Sequence, residues 1–199
     1  SSSTGYEAPI SSKIVQVLLE KNPSAAKEKN NLQQTPLHCA CWSCPPFRVI
    51  QLLVEQYPQA IKLEDFSNLT PVDIIERIFA APQGTGRLIV GDIEITDHKH
   101  IMNAELPCLL TRLQSALNPS SSVNDIAEML MTLSHIGWGG GVGLILDEQS
   151  PKLHHLLLDD LLIPNLMNLI GQRCKLITMM EVVKGMPGLF ENVKGYSSV

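Results

Sequence analysis

Residues 15–38 and 50–73 superimpose without a gap, and this 35-residue internal repeat constrains the fold more than any other feature of the chain. Gln16/Gln51, Leu18/Leu53, Glu20/Glu55, Pro23/Pro58, Ala25/Ala60, Lys27/Lys62, Thr35/Thr70 and Pro36/Pro71 are identical pairs. Val15/Ile50, Val17/Leu52, Leu19/Val54 and Leu37/Val72 keep apolar character. A period of this size marks stacked supersecondary units. Each carries too much apolar surface to stand alone, and its neighbours bury the surplus.

One unit reads as helix, turn, helix, protruding hairpin. The Thr35 hydroxyl suits a helix cap, and Pro36 suits the first helical position, where no N–H is needed. Leu37, Ala40 and Cys41 then share one face at helical spacing. Pro45-Pro46 stops this short helix. A second helix is expected over about 47–57. Val49, Ile50, Leu52, Leu53 and Val54 give it a broad apolar face, with Arg48, Gln51 and Glu55 facing out. Pro58 closes it. Residues 60–69 are expected to hold an extended stretch and a turn, with Asp65 and Asn68 as turn formers, before Thr70-Pro71 opens the next unit.

The segment Thr35-Pro36-Leu37-His38-Cys39-Ala40-Cys41 resembles the Thr-Pro-Leu-His-x-Ala-Ala signature of the ankyrin repeat family. Val49, Leu52 and Leu53 match its second-helix core positions. The period here is 35 rather than 33, the usual hairpin glycine is Gln33 in one copy and Asn68 in the other, and Pro45-Pro46 lengthens the inter-helix turn. The resemblance covers residues 12–80. It implies an all-α, ankyrin-type α-solenoid of helix-turn-helix repeats, which the rest of the chain must complete or cap.

From Ala81 the register breaks. Pro82-Gln83-Gly84-Thr85-Gly86 reads as a loop, and 87–96 as strand-like pieces split at Gly91-Asp92. The expected organisation is a disordered segment over 1–11, ankyrin repeats over 12–82, a loop or small β-hairpin insertion over 83–104, and helical repeats or a helical cap over 105–199. Helices are expected at 106–117, at 123–136 with Asn124 as cap, and at 153–158, 161–171 and 174–183. The glycine run 137–143 is expected to be the loop that ends the second of these.

Composition excludes several classes. The 199 residues allow one domain or two small ones, and apolar residues make up 44%, so the chain is not a disordered tail. Aromatics are only 5%, and Leu, Ile, Val, Met and Ala dominate, which favours helices. The net charge of −5 is spread over both halves with no basic stripe, which argues against nucleic acid and against an anionic membrane surface. No apolar run reaches about 18 residues, so no membrane span is expected. The opening Ser-Ser-Ser-Thr-Gly is neither an initiator Met nor a signal peptide and fits a fragment. Five cysteines without scaffold spacing read as free thiols in a reducing compartment, so an intracellular, cytoplasmic or nuclear location is expected.

Chemical candidates compete with plainer readings. His38, Cys39, Cys41 and Cys44 are suitable zinc ligands, but neighbours on a helix diverge and no second ligand pair lies at a useful spacing. Asp97-His98-Lys99-His100 lacks a partner cluster and reads as a solvated loop. The glycine run lacks the Lys-Ser/Thr of a phosphate-binding loop and follows a helix, not a strand. His154-His155 and Asp159-Asp160 are adjacent pairs that diverge, and no nucleophile elbow is present. No metal, cofactor or catalytic residue is expected.

The expected function is a non-catalytic scaffold or interaction module. Ankyrin-type arrays, as the resemblance implies, bind proteins through hairpin tips and the inner helix face. Mapped here, the tips are Asn30, Asn31, Leu32 and Gln33, then Asp65, Phe66, Ser67 and Asn68; the inner-helix positions are Cys39, Trp42 and Ser43. Trp42 and Phe66 offer the largest contact area. Packing of Trp42 on Pro45-Pro46 is the competing reading. The alternative function is an accessory array of a larger enzyme or signalling protein, with a site in 84–143. The sequence sets neither the partner nor the oligomeric state.

Overall fold

The computed structural model describes residues 12–43, 45–80, 97–152 and 162–186. These residues are all-α, with no strand among them. They fall into two compact units, Ser1–Thr111 and Arg112–Val199.

The first unit holds α1 (Ser12–Lys21), α2 (Pro36–Ser43), α3 (Phe47–Gln56) and α4 (Pro71–Ala80), and α5 (Asp97–Ala116) begins in it. The sequence repeat is a structural repeat. A shift of 35 residues carries α1 onto α3 and the 3-10 turn Pro23–Lys27 onto the 3-10 turn Pro58–Lys62. It also carries Gln33, at φ 59°, onto Asn68, at φ 54°. These are the left-handed positions where the family places glycine, and here a Gln takes one of them despite its Cβ. The extended stretch expected after Pro58 is a 3-10 turn instead. Proline at its first position supplies the fixed φ and needs no donor.

Helix α2 packs against α3 and α4, and α1 packs against α3. The apolar face read from the sequence is the core: Leu37, Ala40, Cys41, Val49, Ile50, Leu52, Leu53, Val54, Val72, Ile74 and Ile75 are buried. Burying a side chain of the Leu or Ile kind stabilises by about 1.5–3 kcal/mol over leaving it exposed. Helix α1 shows the converse. Its Ile14, Val17 and Leu18 are exposed, whereas their counterparts Val49, Leu52 and Leu53 are buried. Helix α3 has α2 folded against it; among the described residues no inner helix precedes α1.

The strand-like pieces expected over 87–96 lie outside the described residues, as does the rest of 81–96. Residues 97–104, expected within the insertion, are the first turns of α5. Helix α5 runs through Pro107, which the sequence reading placed at a helix start. A proline inside a helix forfeits one backbone hydrogen bond, a cost the rest of a long helix can absorb.

The second unit contains α6 (Val123–His135), α7 (Gly139–Glu148), α8 (Leu162–Arg173) and α9 (Leu176–Gly185). Helix α6 packs on α7 and α8, and α9 packs on α7 and α8, so two helical hairpins stack helix on helix. Ile126 and Leu130 of one hairpin are matched by Leu166 and Ile170 of the next, all four buried. The unit is helical, as the sequence reading expected, with two corrections. Ser122, not Asn124, caps α6, through a capping box with Asp125. The glycine run is not a loop: Gly137, at φ 73°, ends α6, and Gly139–Gly143 form the first turns of α7.

Close packing explains why so poor a helix-forming stretch is helical. A Cβ on Gly139 would collide with the Thr178 hydroxyl, and one on Gly141 would lie 2.8 Å from the Trp138 ring. The missing side chains let α7 meet α9 and let Trp138 bury its ring. The expected helix at 153–158, the His154-His155 and Asp159-Asp160 pairs, Cys44 and residues 1–11 lie outside the described residues.

Candidate functional site

Two tips project between the helix pairs, built by the same local chemistry. The Asn30 Oδ1 accepts the N–H groups of Leu32 (2.9 Å) and Gln34 (3.0 Å). The Asp65 Oδ1 accepts those of Ser67 (2.8 Å) and Leu69 (3.2 Å). Asn and Asp close turns in this way because their short side chains reach the backbone two and four residues on. The tips are tied to each other. The Phe66 N–H donates to the Leu32 carbonyl at 3.1 Å, and Gln34 Nε2 donates to Asp65 Oδ2 at 3.1 Å.

His38 anchors the tips to the helices. Its Nδ1 takes the N–H (3.1 Å) and hydroxyl (2.8 Å) of Thr35, which leaves Nε2–H to donate to the Leu63 carbonyl at 3.1 Å. That requires the neutral Nε2–H tautomer. In the next copy Asp73 does the same work: its Oδ2 takes the N–H and hydroxyl of Thr70, at 2.8 and 2.6 Å.

Electrostatics follow from this geometry. Burial lowers the His38 pKa below 6.5, against the opposing pull of the Leu69 and Leu63 carbonyls and of Asp65. Burial also acts to raise the Asp65 carboxyl, but the hydrogen bonds from Gln34, Leu69 and Ser67 outweigh it and hold it below its ordinary range.

The sign for His38 is definite. Above pH 6.5 neither state binds its proton. As pH falls through 6.5, the unfolded chain takes up a proton that the folded chain refuses, and stability drops until the folded imidazole protonates. We expect the slope of this component to steepen as pH falls below 6.5, with an upper limit of about 1.4 kcal/mol per pH unit while the unfolded imidazole is protonated and the folded one is not. It should vanish in His38→Gln. Denaturant midpoints of both proteins between neutral pH and the carboxylate range check it. Parallel profiles would refute the buried neutral imidazole.

Of the residues singled out in the sequence, Asn31, Leu32, Gln33, Phe66, Ser67 and Asn68 are exposed at the tips, and Cys39, Trp42 and Ser43 are exposed on α2. Leu32 is 58% exposed, Phe66 68% and Trp42 45%. Asp65 differs: it is 7% exposed, its Oδ1 is spent on its own turn and its Oδ2 on Gln34. It shapes the tip and offers partners little. The sequence reading missed the ties between tips. The pairing of Asn30 with Asp65 at the repeat interval was the signal that could have shown them.

Cys41 is fully buried and Cys39 exposed, so they point apart. Among the described residues no three His, Cys, Asp or Glu side chains converge on a point. Residues 97–100 are helical rather than a loop. In the second unit a cavity of about 60 Å³, lined by Arg112, Ser115, Asp125, Glu128 and Met129, is far smaller than a substrate pocket, and its Arg112 is paired with Glu128.

Helix pairs tied by ordered tips at a 35-residue interval define an α-helical repeat architecture over the first unit. Residues 28–75 match the family model described as ankyrin repeats (many copies). The match spans about a quarter of the chain, and that segment is similar to ankyrin repeats. No curated protein and no solved structure matches the chain. Ankyrin repeats are in general protein–protein interaction modules and typically non-catalytic. Among the described residues no helix is long and apolar enough to cross a membrane.

Proposed function

We propose that the chain is a non-catalytic protein-binding module that engages its partner through the tips and the exposed positions of α2. The observation that carries this reading is the Leu32/Phe66 pair. Two large apolar side chains stand in solvent on turns made rigid by their own hydrogen bonds and by each other. Exposed apolar groups held in place lose little entropy on binding, which is the physical profile of an interface anchor. Trp42 and Cys39 on α2 extend the surface, and Asn31, Gln33, Ser43, Ser67 and Asn68 supply polar contacts around it.

A pull-down from the source cell tests the reading. The intact chain should retain a partner that the Trp42→Ala/Phe66→Ala double variant loses, while the two proteins keep the same melting behaviour. Equal retention by the two proteins would move the interface elsewhere. The enzyme alternative gains nothing from the described part of 84–143, where the glycine run is a packed helix.

A further inference from the structure

We propose that the groove between α1 and α2 binds a short amphipathic helix of another polypeptide. That helix presents a large apolar residue followed, three and four positions later, by two small ones. The groove is a different surface from the tips, and the inference does not depend on them.

The repeat itself measures what the groove lacks. Helices α1 and α3 are equivalent, yet one face differs in burial. Ile14, Val17 and Leu18 are between 54% and 61% exposed, whereas Val49, Leu52 and Leu53, one repeat on, are buried. Leu19 and its counterpart Val54 are both buried, so the difference belongs to one face and not to a loosely attached helix. Helix α2 shows the same deficit on its own account. Cys39 is exposed, while its counterpart Ile74 on α4 is fully buried. Pro36 is half-buried, while Pro71 is buried.

The two deficits have one cause. Helix α2 packs on both α3 and α4. Among the described residues no helix stands to α1 and α2 as α2 stands to α3 and α4. One helix in that place would cover both bare faces.

The chemistry of the occupant follows from the helix that holds the equivalent place. Helix α2 is eight residues long and buries Leu37, Ala40 and Cys41. A large apolar side chain anchors the contact, and two small ones on the same face let the helices approach closely. The chain's own residues at that register are Ser2, Gly5 and Tyr6, which do not carry this set. A helix from another polypeptide that does carry it would continue an interface the protein already makes one repeat on. Recognition of an amphipathic helix in a groove uses anchors at this i, i+3, i+4 spacing.

The test uses the full chain. The probe is a fluorescent synthetic peptide with the sequence of residues 35–43 and Cys41→Ala. A hydrocarbon bridge between positions 39 and 43, both exposed in α2, holds it helical. Fluorescence anisotropy should show saturable binding. Leu18→Asp puts a charge in the groove and should weaken binding about tenfold or more. Leu18 is exposed, so the melting midpoint should hold. Leu176→Asp changes an equally exposed leucine on α9 and should alter affinity less than about twofold. Ala40→Leu in the peptide overfills the close approach and should also cost about tenfold, with the protein unaltered.

Equal losses from Leu18→Asp and Leu176→Asp would reveal unspecific apolar adhesion and overturn the proposal. Absence of binding would show the groove already covered by this chain and overturn it as well. Analytical ultracentrifugation of the chain alone decides the source of the occupant. A monomer that binds the peptide supports a separate partner; self-association abolished by Leu18→Asp would give the groove to a second copy and overturn it. None of these outcomes bears on the tips, which the pull-down tests separately.

Discussion

Trp138→Ala is expected to lower the stability of the unit Arg112–Val199 by about 3–5 kcal/mol, the range for emptying a buried Trp site. Trp138 is among the largest fully buried side chains of the chain, at 1% exposure, although it sits in a turn between two helices. Its backbone serves both of them: its N–H donates to the Leu133 carbonyl at 2.8 Å and its carbonyl accepts the Val142 N–H at 3.1 Å. The ring fills the space that Gly141 leaves open, within 2.8 Å of where a Cβ would stand. The backbone bonds survive the substitution and the packing does not, so the loss isolates the ring's contribution. Chemical denaturation followed by circular dichroism reads it. A change below about 1 kcal/mol would mean that the turn packs without the ring.

Leu53→Ala is expected to cost about 2–5 kcal/mol, because a buried leucine loses both its transfer energy and its contacts. Leu53 lies on the face of α3 covered by α2 and α1, at 6% exposure. Two residues on, Glu55 points the other way and pairs with Arg48 at 3.4 Å, partly in solvent. Glu55→Ala should therefore stay below about 1 kcal/mol, the ordinary worth of an exposed ion pair. Equal losses would show that the phase of α3 is wrong. The equivalent Leu18→Ala in α1 offers an internal comparison. Leu18 is exposed, so the same change at the same repeat position should cost much less than in α3.

The difference between Leu18 and Leu53 shows where reading from sequence stops. The two residues occupy one position of one repeat and carry the same side chain. Their helices begin and end at equivalent residues, because propensity, proline placement and apolar spacing are local properties. Burial is a property of the neighbour, and the neighbour differs. The tips divide in the same way. Turn formation at Asn30 and Asp65 was legible, since a short polar side chain closes its own turn. The Phe66–Leu32 bond and the His38–Leu63 tie join residues 34 and 25 positions apart, and the sequence pattern alone does not set those distances.

The glycine run was misread for a related reason. Glycine costs a helix about 1 kcal/mol per residue relative to alanine, so a local reading makes five glycines in seven residues a loop. The cost is offset by contacts with α9 and Trp138, which no window along the chain contains. Residues 97–104, expected within the insertion, are helical as well.

The sequence by itself determined the repeat length, the helices over 12–80 and their apolar faces, the turn chemistry of the tips and the likeness of residues 28–75 to ankyrin repeats. Each of these is written in local patterns along the chain or in their recurrence at a fixed interval. The tertiary structure alone decided which copies of the apolar face are covered. It also decided that Asp65 is spent within its turn while Phe66 stands free, and that a run of glycines is helix. These depend on what lies across the interface between elements, where close packing and hydrogen-bond satisfaction act on residues far apart in the chain.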